Sequence, residues 1–339
     1  VKRLALVGWA TNSGVGREYI DAINHLPVSA AYLLPNEAKP TRFDLLKNVP
    51  HYIPAYLKST GDMIRFLDMH NPEVILTWET PGCWEFPEVW RKRGIRWVHV
   101  VHWDWFNPEH VGVLQGADLI APNGMCAQGL RSYGLRSTVL AIPTDTSLFA
   151  FRRREQVETF LLPYGFGGPY NRRAVNEILR AWRVVFKLYP KMRLLIRAQK
   201  RPEEIGPELP PGVEVKIANT PSPTEAFAVG DVAIMPTRFE GVGLSLVEAG
   251  SCGLPVITSS AEPMSDLSPG PLARIDRVEY PEFSGKKLES YVVSASSLAN
   301  RMVEVAAQDT GALSDRAREW VQNRYSWDSL RDAWVRFLL

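Results

Sequence analysis

Short apolar runs of strand length alternate with segments of helical spacing along the whole chain. Residues 4–7 (Leu-Ala-Leu-Val) form the first run, a loop with Gly8, Gly14 and Gly16 follows, and residues 17–24 have helix character. Further strands are predicted at 30–34, 72–77, 117–121 and 137–142, with an alternating strand from Arg96 that changes character at His102. Residues 62–69 are helical in spacing, and 35–50 are loop-rich. The second half repeats the alternation. A strand at 158–162 leads through a loop with Gly165, Gly167 and Gly168 into a strongly amphipathic helix at 172–189, carrying Ile178, Leu179, Trp182, Val185 and Phe186. Strands are predicted at 193–197, 213–217, 231–235 and 255–258. Helices are predicted at 224–229, 244–252 and 296–307, the last capped by Ser296 or Ser297, and two more lie between 315 and 339, broken near Tyr325-Ser-Trp327. Residues 261–288, rich in proline and glycine, read as an irregular segment that covers a site or moves.

Strand and helix alternating in both halves predict an α/β protein of two parallel-sheet domains with a ligand in the cleft between them. The periodicity weakens at 145–155, which reads as the linker. The expected domains are 1–148 and 156–322, with a C-terminal helix at 323–339 packing back on the first. A length of 339 residues points the same way, since one core seldom grows so large. Composition, at 45% hydrophobic and 22% charged, fits a soluble globular chain, and a net charge of +2 creates no general field for polyanions. Basic clusters are local: Arg91-Lys-Arg93, and Arg152-Arg-Arg154, which reads as solvated surface. Cys83, Cys126 and Cys252 are odd in number and widely spaced, so neither a disulfide framework nor a zinc site is indicated. No apolar run reaches membrane-span length, and the N-terminus leads straight into a strand pattern. The expected location is the cytoplasm, or the periphery of a membrane.

Candidate chemistry concentrates in residues 239–250. Glu240 falls on a loop and Glu248 about one turn into the following helix. Gly241 and Gly243 let the backbone approach a ligand, and the NH groups at the helix start suit an anion such as a diphosphate. A plain strand-loop-helix corner needs neither two glycines nor two carboxylates. The N-terminal glycine loop is not GxGxxG, so a dinucleotide site is poorly supported. Gly14 and Gly16 either make a tight turn or let a phosphate or sugar approach the backbone. His102 projects at a strand end, the edge where open α/β sheets bind ligands, whereas His99 reads as structural. Trp78, Trp84, Trp103 and Trp105 crowd these strand ends, either as packing or as faces for a sugar ring or nucleobase.

The run 231–257, with Glu240, Glu248 and Gly253-Leu-Pro255-Val256, resembles the core of family 4 of the retaining glycosyltransferases, whose pattern is E, seven residues, E, then GxPV. Gly14-Val-Gly16, His102, Ile142-Pro-Thr144 with Phe149, and Tyr325-Ser-Trp327 occur in the order the family has them. The resemblance implies the GT-B architecture, two facing Rossmann-like domains with the active site in the cleft between them. It also implies transfer of a sugar from a nucleotide-sugar donor to a hydroxyl acceptor, with retention and an α-linked product. On that resemblance Glu240 contacts the donor sugar, and the backbone at Val242, Gly243 and Leu244 holds sugar and phosphate. Glu248 takes the ribose hydroxyls, His102 lies beside the sugar carbon under attack, and Gly16, on one loop with Gly14, packs against the diphosphate. The family's phosphate clamp is an Arg and a Lys after the first strand of the second domain. Here that loop reads Gly165-Phe-Gly-Gly-Pro-Tyr-Asn-Arg172-Arg173, without the usual Gly-Arg pair. Arg172 or Arg173 stands for the Lys, and Lys200 is a further candidate. No DxD motif is present, so neither a metal nor another cofactor is expected. The acceptor stays open among a carbohydrate, a small aglycone, a lipid-linked molecule and a nucleic acid. A sugar-nucleotide epimerase or hydrolase on the same architecture, or a nucleotide-sugar-binding protein with a weakened clamp, are the alternatives.

Overall fold

Residues 2–36, 39–56, 58–218 and 223–339 are described here from a computed structural model. They fall into two units. The first runs to Thr144 and includes Ser284–Lys286 and Trp327–Leu339, and the second comprises Asp145–Phe283 and Lys287–Ser326.

In the first unit the strands are β1 (Leu4–Gly8), β2 (Val28–Leu33), β3 (His51–Tyr52), β4 (Val74–Trp78), β5 (Arg96–Val100), β6 (Asp118–Ala121) and β7 (Ser137–Val139). All pair in parallel, in the order β3-β2-β1-β4-β5-β6-β7. β1 and β4 are buried along their whole length, which is why they read as unbroken apolar runs rather than as alternation. The helix Gly14–His25 starts where the Ser13 side chain accepts the Gly16 NH at 3.1 Å. The terminal helix Trp327–Leu338 belongs to this unit: Trp334 is fully buried, donates from Nε1 to the Ala141 carbonyl at 3.0 Å, and stacks on Trp78.

The second unit has β8 (Thr159–Gly165), β9 (Arg193–Ala198), β10 (Val213–Ile217), β11 (Val232–Met235), β12 (Val256–Ser259) and β13 (Leu272–Ala273). They are again all parallel, in the order β10-β9-β8-β11-β12-β13. Val175, Ile178, Trp182 and Val185 form the buried stripe of the helix Val175–Leu188 and join Leu298 and Met302 of the helix Ala295–Ala306 in one core. Burying each such side chain contributes ~1.5–3 kcal/mol.

Several local expectations change. The helix expected from 172 begins at Val175, because Tyr170, Asn171 and Ala174 have positive φ (56, 50 and 53°). That leaves Arg172 and Arg173 on the loop. The cap of Ala295–Ala306 is Ser294, which accepts the Ser297 NH at 3.3 Å, rather than Ser296 or Ser297. The segment 261–288 is partly regular: it supplies β13, and Ile275–Glu279 pairs antiparallel with Ser290–Val293. Arg154 is not solvated. It is 2% exposed, its guanidinium donates to the carbonyls of Arg152, Cys252 and Gly230, and burial pushes its pKa down to about 10. The three cysteines are free and buried.

Candidate functional site

Each sheet reverses its order once, between β1 and β4 in the first unit and between β8 and β11 in the second. In open α/β sheets the loops leaving the strands at such a point form the ligand crevice. In the second unit the loop after β8 carries Arg172 and Arg173, and the loop after β11 carries Glu240. The three side chains meet. Arg172 Nη2 donates to Glu240 Oε2 at 2.7 Å and Arg173 Nη1 donates to Oε1 at 2.5 Å. The Glu240 side chain is only 5% exposed. Burial pushes its carboxyl up, but the two guanidiniums outweigh burial and hold it below its ordinary value. Glu240 is therefore ionised at neutral pH, held by the two guanidiniums.

Backbone conformation brings the arginines there. Gly165, Gly167 and Gly168 have positive φ in addition to the three residues named above. A Cβ at Gly167 would lie 2.2 Å from the Tyr164 hydroxyl oxygen, so only glycine fits. Asn171 is fixed at both ends of its amide: Oδ1 accepts the Val175 NH at 2.8 Å and Nδ2 donates to Glu177 Oε2 at 2.9 Å. Glu177 also accepts from Arg238 Nη2 at 3.1 Å, and the Arg238 NH donates to the Arg172 carbonyl at 2.9 Å. Asn171, Glu177 and Arg238 are thus the inner support of the arginine loop. Sequence reading missed them, although an acid set among Val175, Ile178 and Ala181 on the buried stripe of a helix was a usable sign.

Gly243 precedes the helix Leu244–Ser251 with φ 74°, and no side chain caps the first turn. A Cβ there would lie 2.3 Å from Leu267 Cδ1. Val242 and Leu244 are half-buried beside it, and Glu248 is half-buried about one turn along the helix. Lys200, on the loop after β9, is paired with Glu203 at 3.1 Å rather than with Glu240.

In the first unit His102 lies just beyond β5, where its carbonyl accepts the NH groups of Trp105 and Phe106 at 3.0 and 2.9 Å and so turns the chain. Its Nε2 is 2.9 Å from Glu18 Oε2, with both side chains buried. Burial opposes charge on the ring, but Glu18, Glu79 and Asp104 outweigh it and push His102 up to about 9. Glu18 was not foreseen; the sign was its place with Asp21 among Tyr19, Ile20, Ala22 and Ile23 in the buried part of the helix. A Cβ at Gly16 would lie 2.4 Å from the Thr11 carbonyl, so this glycine packs the helix start against its own loop, and Gly14 is the first helical residue. His99 is structural, as read: Nδ1 is 2.7 Å from Thr77 Oγ1, and burial pushes it down to about 3. A cavity of about 400 Å³ opens beside both histidines, with Glu79, Thr80, Trp84, Trp105 and Asn107 in its wall. Among the described residues no three His, Cys, Asp or Glu side chains group as a metal site, and no helix is long and apolar enough to cross a membrane.

Residues 164–272, which span both arginines and both glutamates, match the family described as glycosyl transferases group 1. No curated protein matches the chain. Among solved structures it is similar to Anabaena HepE in complex with UDP and glucose (TM-score 0.68, 13% identity, 99% of each chain covered). It is also similar to a glycosyltransferase from Rickettsia africae ESF-5 (0.69, 12%, 99% of this chain and 97% of that). A third is the sucrose-phosphate synthase of Thermosynechococcus elongatus (0.64, 15%, 99% and 98%). At such identities the likeness establishes the fold, which is that of the GT-B class with two Rossmann-like parallel-sheet domains. The α/β architecture expected from the alternation is present. Fold and matched segment together support a GT-B glycosyltransferase of group 1 type.

Proposed function

We propose that the protein is a retaining glycosyltransferase of family 4 type, moving a sugar from a nucleotide-sugar donor to a hydroxyl acceptor to give an α-glycosidic bond. The observation that carries this reading is the buried Glu240–Arg172–Arg173 cluster at the β8/β11 reversal, inside the matched segment. Breaking the bond from the anomeric carbon to phosphate leaves negative charge on the diphosphate. On this reading Arg172, Arg173 and the NH groups at Val242, Gly243 and Leu244 stabilise that charge, and fixed charges of this kind supply much of an enzyme's rate. The arginines do so without a metal. Glu240 takes the hydroxyls of the donor sugar, Glu248 the ribose, and Gly14 and Gly16 the diphosphate. Lys200, held by Glu203, is left out.

His102 lies by the sugar carbon in this scheme. Pushed up to about 9, it carries its proton at neutral pH and is no general base. That fits a front-face reaction in which the leaving phosphate oxygen takes the acceptor's proton. HepE structures contain UDP, and one contains UDP-glucose, so UDP-sugars are the first donors to screen.

The test uses labelled donors with and without acceptors, with the product's anomeric configuration read by NMR. Glu240→Ala and Arg172→Ala are each expected to lower transfer on the order of 10²–10³-fold. Wild-type rates in both would sink the site. Release of free sugar as the sole product would indicate a hydrolase, and a β-linked product would overturn retention.

A further inference from the structure

Arg238, on the loop after β11, is buried and held on four sides. Nη2 donates to Glu177 Oε1 at 3.1 Å on the helix Val175–Leu188, and Nη1 donates to Glu279 Oε2 at 3.0 Å at the end of the strand Ile275–Glu279. The backbone NH donates to the Arg172 carbonyl at 2.9 Å, and the carbonyl accepts the Tyr291 NH at 2.7 Å from the strand Ser290–Val293. The next two residues turn to the same arginine. The Arg172 guanidinium lies over the Phe239 ring, 5.0 Å from its centroid, and donates to Glu240. A displacement of Arg238 would therefore move the Arg172 carbonyl and Glu240 together, and with them Arg173, the next residue of its loop.

The two strands form an antiparallel hairpin that is no part of the parallel sheet. Their connection reaches the arginine loop a second time, where the Tyr170 hydroxyl donates to the Glu282 carbonyl at 2.7 Å. Tyr170 opens the left-handed turn that keeps Arg172 and Arg173 out of the helix. The loop is thus tied at Tyr170 directly and at Arg172 through Arg238, all within the second unit. A guanidinium suits that task, being a rigid planar fork that serves two carboxylates at once, which an ammonium on a flexible stem does less well. Glu177 is 2% exposed, so its pair with Arg238 is shielded from water; the Glu279 side chain is 41% exposed, and its pair is screened and weaker.

We propose that Arg238 is a positioning residue for the reaction: with Glu177 and the hairpin it sets the register in which both arginines of the loop meet Glu240. The register claim stands on these contacts alone; its bearing on sugar transfer rests on the glycosyltransferase reading. The hairpin thereby becomes a working part of the site although it contributes no group to the Glu240 cluster.

Two readouts on the full chain test it. The first needs no ligand: the Glu240 side-chain carboxyl, carbon-13 labelled and assigned with Glu240→Gln, is followed by NMR against pH. In the parent it titrates below the ordinary carboxylate value. In the double variant Glu177→Gln/Arg238→Met, which removes both buried charges together, it is expected to titrate higher, since burial persists while the guanidiniums lose their register. Arg238→Lys should fall between the two. The second readout is release of UDP from UDP-glucose. In the double variant kcat is expected to fall on the order of 10²-fold, as for a misplaced reacting group. The donor KM should change less, because the charge to be stabilised develops only as the bond breaks. Tyr170 is 49% exposed, and Tyr170→Phe and Glu279→Gln each remove one contact at a position where folding is not at risk. Each should lower kcat about 3–10-fold, the size of one hydrogen bond, with an unchanged Tm. A Glu240 titration that stays at the parent value in the double variant and in Tyr170→Phe would overturn the register claim. A raised Glu240 titration with parent kcat would overturn the positioning role. A parent that neither binds UDP nor releases it from UDP-glucose counts against the glycosyltransferase reading, while the Glu240 titration still decides the register.

Discussion

Replacing Glu18 with glutamine should uncouple His102 from its charge. The ring is pushed from the ordinary 6.5 up to about 9, although burial by itself works against the charged form. Its partner is the carboxylate at 2.9 Å, and glutamine keeps the shape while removing the charge. At about 1.4 kcal/mol per pH unit, the gap between 6.5 and about 9 corresponds to ~3 kcal/mol of folding stability. Because the folded value is raised, this stabilisation is complete below pH 6.5 and is lost as pH rises through about 9. Two measurements follow. Imidazole ring signals, assigned with a His102→Asn control, should show His102 titrating near 9 in the parent and far lower in Glu18→Gln. Urea unfolding at pH 6.5 and 9.5 should show the parent losing up to ~3 kcal/mol more than the variant over that range, a difference from which the opposing contribution of Lys286, lowered by burial to about 8, cancels. A parent His102 that titrates below 7, or a variant that keeps the raised value, would refute the electrostatic argument.

Gly243→Ala should lower Tm by the equivalent of ~1–3 kcal/mol, since φ is 74° and the added carbon meets Leu267 at 2.3 Å; an unchanged Tm would contradict the geometry. Thr77→Val removes the hydroxyl partner of both His99 Nδ1 (2.7 Å) and Trp97 Nε1 (2.9 Å), so chemical denaturation should show a loss of ~1–3 kcal/mol or more. Chelation with EDTA should leave transfer unchanged, because arginines are proposed to carry the diphosphate; a loss restored by magnesium would be the opposing result.

The order of elements was legible because buried parallel strands leave an unmistakable trace: Leu4–Val7 and Val232–Met235 are apolar on both faces, and a helix follows each. Glu240 stood out on its glycine-rich loop, and the structure pairs it there with Arg172 and Arg173. What could not be read were contacts between residues far apart in sequence. Glu18 and His102 are 84 positions apart, and Arg172 and Glu240 are 68 apart. The start of the helix at Val175 was misplaced because Arg172 and Arg173 are good helix formers, and only the left-handed turn at Tyr170, Asn171 and Ala174 overrides them. Arg154 was misread because a basic triplet says nothing about which member finds buried carbonyls.

Arg172 and Arg173 are neighbours in the chain, yet both grip one carboxylate. On a strand two successive side chains point to opposite faces, and on a helix they diverge by about 100°. Their convergence is a property of loop length, with Asn171 anchored to the helix on one side and Gly167 wedged against Tyr164 on the other. Surface loops ordinarily accept insertions and deletions. This one has no such freedom: adding or removing a single residue between Gly165 and Ala174 would rotate one guanidinium away from Glu240 even if every side chain were kept. In natural or engineered variation, its residue count is a stricter constraint than its composition.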